Sequence, residues 1–229
     1  MRRRQAGFTL TEMMVVVTII GVLVTMAIVY MRPRVRPIDV ANRVGDLVRE
    51  ASRRAVALGP VRASVAVSMG KARTQISALT ESHTVPGSSP PINFTTVIFT
   101  LWRLQEDLPA VLPGPCPTYP CWVSIDQYKT DSNVDVESWT LGVHDHTWAQ
   151  RTSDWSSWVF PGAGTPPPPT PLQCRPDGTC DASSFFFKAV RPGPNCDPLV
   201  PTTVPLNEQC GKLAVMPLGG AITTRADWN

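Results

Sequence analysis

From Phe8 to Met31 the chain runs through about 24 residues with one formal charge, Glu12. As a helix rising ~1.5 Å per residue this stretch is ~36 Å long, enough for a ~30 Å hydrocarbon layer with some tilt. A secretory signal peptide has a shorter apolar core followed by a small-residue cleavage site. Here the run is longer and ends in "MRPRVRP". The remaining plain reading is a single-pass anchor. Its orientation is not set by charge, because Arg2, Arg3 and Arg4 precede the run while Arg32, Arg34 and Arg36 follow it. Glu12 is the anomaly. A carboxylate at mid-bilayer costs roughly 2.5–3.5 kcal/mol on insertion scales, so such a residue marks function more often than accident.

The string "RRRQAGFTLTEMMVVVTIIG" resembles the class III signal of type IV pilins and their relatives: a short basic leader ending in Gly, then Phe, then Glu at the fifth mature position. The matching residues are Gly7, Phe8 and Glu12. The resemblance implies cleavage after Gly7 by prepilin peptidase on the cytoplasmic side, N-methylation of Phe8, and export of everything beyond the apolar helix. It also implies a role for Glu12 in assembly. Glu12 lies only ~6 Å along the helix from Phe8, near the membrane interface, where burial costs less than at the midplane. In a filament its carboxylate pairs with the N-terminal ammonium of a neighbouring subunit, which offsets the desolvation of both charges. One departure stands out: many major pilins carry a proline near the middle of this helix, where this chain has Val29, with Pro33 and Pro37 coming later.

The next segment, "PIDVANRVGDLVREASRRAVALGP", has Val40, Val44, Leu47, Val48, Ala51, Ala55 and Leu58 at spacings of three and four. This predicts an amphipathic helix over residues 32–59 that continues the rod and covers a sheet. Asp39 is the expected cap, and Gly59-Pro60 the stop. The opposite face carries Arg43, Asp46, Arg49, Glu50, Arg53 and Arg54, with Asp46–Arg49 and Glu50–Arg54 expected to pair. An arginine face that binds DNA is the sharper alternative to a solvated one. The stretch "LVREASRRAVALGPVRASVAV" is similar to the GspH/FimT branch of the pilin superfamily, in which such a helix ends just before the first strand.

Beyond Pro60 the pattern alternates. "VRASVAVS" reads as a strand with Val61, Ala63, Val65 and Val67 on one face, "MGK" as a turn, and "TQISALT" as the return strand. "NFTTVIFTLW", "CWVSI", "SWTLGV", "WSSWVF" and "SFFFKAV" are further strand candidates. "KLAVMPLGGAITTR" reads as a closing hairpin bent at Leu218-Gly219-Gly220. The expected fold is α+β: a long N-terminal helix packed on an antiparallel β domain spanning 60–229, built as one sheet or two small ones, with no second helix of note. The proline-dense segments "LPAVLPGPCPTYPC" and "PGAGTPPPPTPLQC" belong to an elaboration of about 105–211.

All six cysteines, Cys116, Cys121, Cys174, Cys180, Cys196 and Cys210, lie in the C-terminal half. An even count in an exported chain suggests disulfides; six cysteines allow fifteen connectivities, of which local pairing (Cys116–Cys121, Cys174–Cys180, Cys196–Cys210) is the simplest. Without Arg2, Arg3 and Arg4, eighteen basic residues face eighteen acidic ones. That balance speaks against a nucleic-acid binder.

No catalytic signature of the nucleophile-elbow, zincin or phosphate-loop kind is present, so neither an enzymatic activity nor a cofactor is expected. His144 and His146 would share one face of a strand but lack a third metal ligand. Asp131, Asn133, Asp135 and Glu137 alternate oxygen donors without EF-hand spacing, and a polar loop is the simpler reading. Trp148, Trp155 and Trp158 suit either packing or an interface.

The resemblance implies a minor pilin that initiates or caps a type IV pilus. Its partners would be other major and minor pilins, prepilin peptidase, the inner-membrane assembly platform and the membrane itself. The alternatives are a minor pseudopilin of a type II secretion system and, from another class, a pilin-type DNA-uptake receptor.

Overall fold

A computed structural model describes residues 10–30, 35–107, 118–141, 172–190, 196, 206–217 and 222–226. The chain divides into two units, Met1–Arg34 and Val35–Asn229. In the first, helix α1 spans Leu10–Tyr30.

The second unit opens with helix α2, Pro37–Leu58. Its start differs from the expectation for Asp39. Pro37 occupies the first turn, where a missing N–H costs nothing, and Arg36 is the capping position. Asp39 therefore sits two residues inside the helix and reaches back. Its Oδ2 accepts the Arg36 backbone N–H at 3.2 Å and the Arg36 Nε–H at 3.0 Å. The stop is as expected: Gly59 has φ of 67°, the left-handed region that glycine enters freely. Val40, Val44, Leu47, Val48, Ala51 and Ala55 are buried, as are Pro37, Ala41 and Gly45. Leu58, the last residue of the helix, is exposed. The expected surface pairs form, Arg49 to Asp46 at 2.7 Å and Arg54 to Glu50 at 2.6 Å.

The largest departure from the sequence reading follows. Residues 63–69 form a short helix, α3 (Ala63–Met69), not a strand, so the long helix is separated from the first strand by a further helical element. Val61, Val65 and Met69, four apart, pack on Ala72, Trp102, Leu104 and Trp122. On that helical stripe Val61, Val65 and Met69 are half-buried, whereas Ala63 and Val67 of the alternating face are exposed. Val67 is left 90% exposed.

Among the described residues eight strands follow: β1 Thr74–Thr84, β2 Asn93–Gln105, β3 Cys121–Lys129, β4 Val134–Leu141, β5 Leu172–Cys174, β6 Ser183–Ala189, β7 Cys210–Val215 and β8 Ile222–Arg225; a one-turn helix, α4 (Leu206–Gln209), precedes β7. They build two four-stranded sheets of order β3-β2-β1-β5 and β4-β6-β7-β8, with every pairing antiparallel. The strands β3 to β6 lie within the stretch 105–211 and complete both sheets, so this stretch supplies core as well as loops. β7 and β8 pair as the closing hairpin, while the bend at 218–220 lies outside the described residues. So does the strand candidate "WSSWVF".

One core serves both sheets. The stripe of α2 packs against Ile76, Ala78, Val97, Phe99 and Leu101 of the first sheet and Val134, Val136, Phe185, Phe187, Leu213 and Val215 of the second. Strand alternation sends Leu101 towards α2 and Leu104 to the opposite face, where α3 covers it. Close approach at one point depends on glycine. A Cβ on Gly211 would stand 2.6 Å from the Pro37 carbonyl oxygen, so β7 can meet the start of α2 only without a side chain there.

Two disulfides join Cys174 to Cys180 and Cys196 to Cys210, and all four cysteines are fully buried. These are two of the three local pairs. Cys121 is also disulfide-bonded, and Cys116 lies outside the described residues.

Candidate functional site

The sequence reading expects the functional chemistry at the N-terminal helix. Within the chain, every described side chain of α1 from Leu10 to Ala27 is exposed. The large apolar ones, among them the consecutive Met13, Met14, Val15, Val16 and Val17, are distributed all round the helix. A helix apolar on every side has no solvated face, so it must be covered by lipid or by other helices. Leu10–Ala27 is long and apolar enough to cross a membrane.

Its polar residues are adapted to such a setting. Thr18 donates its hydroxyl to the carbonyl oxygens of Val15 (2.8 Å) and Met14 (3.1 Å), and Thr25 does the same to Val22 (2.8 Å) and Gly21 (3.0 Å). Both hydroxyls are thus satisfied inside the helix and need no water. Glu12 is the acidic residue of the first turn. A carboxylate there also meets the positive end of the helix dipole. Gly7 and Phe8 lie outside the described residues.

The other candidates are in the globular unit. His144, His146, Trp148, Trp155 and Trp158 lie outside the described residues. The run from Asp131 to Glu137 is not the polar loop expected, because β4 begins at Val134. Asp131 Oδ1 accepts the Asn133 backbone N–H at 2.9 Å within the turn. Asp135 accepts the Thr95 backbone N–H at 2.7 Å and pairs with Lys188 at 3.3 Å, while Glu137 also pairs with Lys188. A lysine thus occupies the carboxylates that would face a cation. Among the described residues no group of three His, Cys, Asp or Glu side chains gathers as a metal site.

The arginine face of α2 forms one wall of a groove of about 460 Å³ shared with β3. Arg43, Arg49 and Arg53 line it together with Asp46, Glu50 and Asp126, so the charges are matched in number. This is not the one-signed patch that draws a nucleic-acid backbone.

Two features were not anticipated. One is the Asp135–Glu137–Lys188 cluster. Burial raises the Asp135 carboxyl above its ordinary range, despite the Thr95 N–H and Lys188. Burial also acts to lower Lys188, but its two carboxylates outweigh that, and the net shift is upward. The difference follows depth: the Asp135 side chain is 8% exposed and that of Lys188 27%. The other is an apolar groove of about 690 Å³ beside α3, lined by Pro60, Val61, Ala63, Ala66, Val67 and Pro176 with Lys71, Arg175 and Asp177 at its rim.

Residues 2–28 match the family model described as the prokaryotic N-terminal methylation motif. The N-terminus carries a type IV pilin-like prepilin signal. Such a signal implies processing by prepilin peptidase and assembly with other pilins, and with the apolar helix it suggests membrane anchoring before assembly. The match covers the signal and α1 and stops short of the globular unit. No curated protein and no solved structure matches the chain.

Proposed function

We propose that this protein is a minor pilin of the GspH/FimT kind, a structural subunit that initiates or caps a type IV pilus. Prepilin peptidase cuts between Gly7 and Phe8, and the new Phe8 amine is methylated. The Glu12 carboxylate then docks the subunit by pairing with the N-terminal ammonium of a neighbour. The observation that carries this reading is α1 itself: apolar on every side, with one acid in its first turn. A plain anchor needs the apolar surface but has no use for the acid.

Support also comes from the globular unit, whose loop-rich, disulfide-tied build suits a tip or initiating position better than dense axial stacking. The type IV pilin-like family is in general structural, and this subunit acts through assembly and not catalysis. From the inner membrane it passes to the cell surface as part of the filament.

The test uses the membrane-extracted full-length protein. Intact mass and N-terminal sequencing should give a chain beginning at methylated Phe8. Glu12→Ala should still be processed and inserted, yet its recovery in sheared filaments should fall at least about tenfold, the equivalent of ~1.4 kcal/mol of lost docking energy. A retained Met1, or normal incorporation of the alanine variant, overturns the proposal.

A further inference from the structure

The unanticipated cluster in the second sheet has the parts of a condensation reaction. Asp135 on β4 and Lys188 on β6 are direct cross-strand partners. Their side chains lie on the face of the sheet opposite Val134 and Val136, which point into the core. Lys188 Nζ stands 3.3 Å from Asp135 Oδ2 and in closer contact with Glu137 Oε2. Glu137 is the extra residue of a bulge, between the pairs Val136–Phe187 and Ser138–Phe186. Bulges re-aim side chains, and this one brings the second carboxylate onto the lysine. The other oxygen of Asp135, Oδ1, accepts the backbone N–H of Thr95, which belongs to β2 of the first sheet, at 2.7 Å. Water is largely kept out: the side chains of Asp135, Glu137 and Lys188 are 8%, 19% and 27% exposed.

We propose that Lys188 and Asp135 condense into an intramolecular isopeptide bond, with Glu137 as the proton carrier and the Thr95 N–H as the donor that holds the developing oxyanion.

The steps balance without any further reactant. A proton of the Lys188 ammonium passes by way of Glu137 to Asp135 Oδ2, giving a neutral amine beside a neutral acid. Lys188 Nζ attacks Asp135 Cγ, and the carbonyl electrons move onto Oδ1, to which the Thr95 N–H donates its hydrogen bond. Glu137 takes one proton from Nζ and delivers it to Oδ2. The Cγ–Oδ2 bond breaks, one water leaves, and an amide joins the two strands. Amide formation from a free amine and a free acid is unfavourable in water. Holding the two groups in contact makes the attack intramolecular, with an effective molarity of up to ~10⁵–10⁸ M lowering its barrier, and the burial of the site disfavours the reverse attack by water.

Burial favours the neutral, electrophilic form of Asp135. The two carboxylates beside Lys188 favour its ammonium, so the proton must leave Nζ before the amine can attack. The product ties β4 to β6 covalently at the seam where the two sheets meet.

The inference stands apart from the filament reading and is tested without filaments. Purified full-length protein is denatured, reduced, alkylated and digested with trypsin, and the fragments are weighed. The intact reduced chain should be lighter by one water than its sequence mass, and after cleavage at Arg151 the segment carrying Asp135 should stay joined to the segment carrying Lys188 as one species with two N-termini, Thr130 and Thr152, and no cleavage after Lys188. Lys188→Arg should yield two separate segments of full mass. Glu137→Gln retains both reacting groups, and the rate of joining should fall by about 10²-fold or more. Separate full-mass segments from the wild-type protein, after prolonged incubation at neutral and mildly acidic pH, overturn the proposal. Joining that proceeds unchanged in Glu137→Gln overturns the mechanism assigned to it.

Discussion

Glycine in a helix interior costs up to ~1 kcal/mol relative to alanine, so Gly21 in the middle of α1 requires a reason. The described residues offer none within the chain, since an added Cβ would meet nothing within 4 Å. Its small size would matter to a neighbouring helix. Gly21 and Thr25 stand one turn apart, the small-x-x-x-small spacing that lets two helices approach closely in a membrane, and Thr25 spends its hydroxyl on the Gly21 carbonyl. On the filament reading, Gly21→Ile should leave processing, insertion and helicity unchanged. Recovery in filaments should fall several-fold, read by immunoblot of sheared pili against total membranes. Equal recovery would mean that no neighbour approaches at this position. Glu12 was legible from the sequence because a charge in an apolar run contradicts its surroundings. Gly21 was not, because one glycine in a largely apolar 21-residue helix contradicts nothing until the space around it is known.

Among the elements, α3 shows where the sequence pattern misleads. Val61, Ala63, Val65 and Val67 alternate as a strand would, yet Val61, Val65 and Met69 repeat as a helix would, and both periods fit the nine residues 61–69. What decides is tertiary: two tryptophans and a leucine on the far face of the first sheet accept the helical stripe. An arginine then fixes the element in place. Arg73, buried, donates to the carbonyls of Gly59 (2.6 Å) and Pro60 (2.5 Å) and pairs with Glu106 at 3.2 Å. Arg73→Met should therefore destabilise the globular unit by about 2–4 kcal/mol, because it leaves two carbonyls and a buried carboxylate short of a partner. Adding Glu106→Gln should restore part of the loss by removing the stranded charge. Urea titration followed by tryptophan emission measures both; equal midpoints for wild type and Arg73→Met would count against this account. The start of α2 gives a pH signature. Arg36 holds the Asp39 carboxyl below its ordinary 3.8, first by hydrogen bonding and then by charge. A lowered folded-state value stabilises above the ordinary value and is lost as pH falls through the folded one. The wild-type advantage over Asp39→Asn, a few tenths of a kcal/mol for so exposed a pair, should be constant above pH ~4 and vanish below it in thermal melts.

At the scale of the whole molecule, the two units depend on different physics. α1 contains no cysteine and draws its stability from apolar surroundings. The globular unit joins two four-stranded sheets over one helix, and its connections include long proline-rich stretches that cannot donate ladder hydrogen bonds. Cross-links compensate for that, and their worth depends on the chain they close. Cys196–Cys210 spans a separation of 14 residues and Cys174–Cys180 a separation of 6. The chain-entropy relation gives about 3 kcal/mol for the first and about 2 kcal/mol for the second. The shorter one also presents its loop to α2, where Ser52 Oγ donates to the Gly178 carbonyl at 2.9 Å. Domains of this size are stable by ~5–15 kcal/mol, so losing both bonds removes a large fraction of the total. Replacing Cys196 and Cys210 by alanine should lower the urea midpoint by about 1–2 M, and replacing Cys174 and Cys180 should lower it by less. In detergent the helical signal of α1 should survive in either variant, because no cross-link reaches it. A larger loss from the six-residue bond would show that the clamp on α2, and not the closure of chain, is what that disulfide contributes.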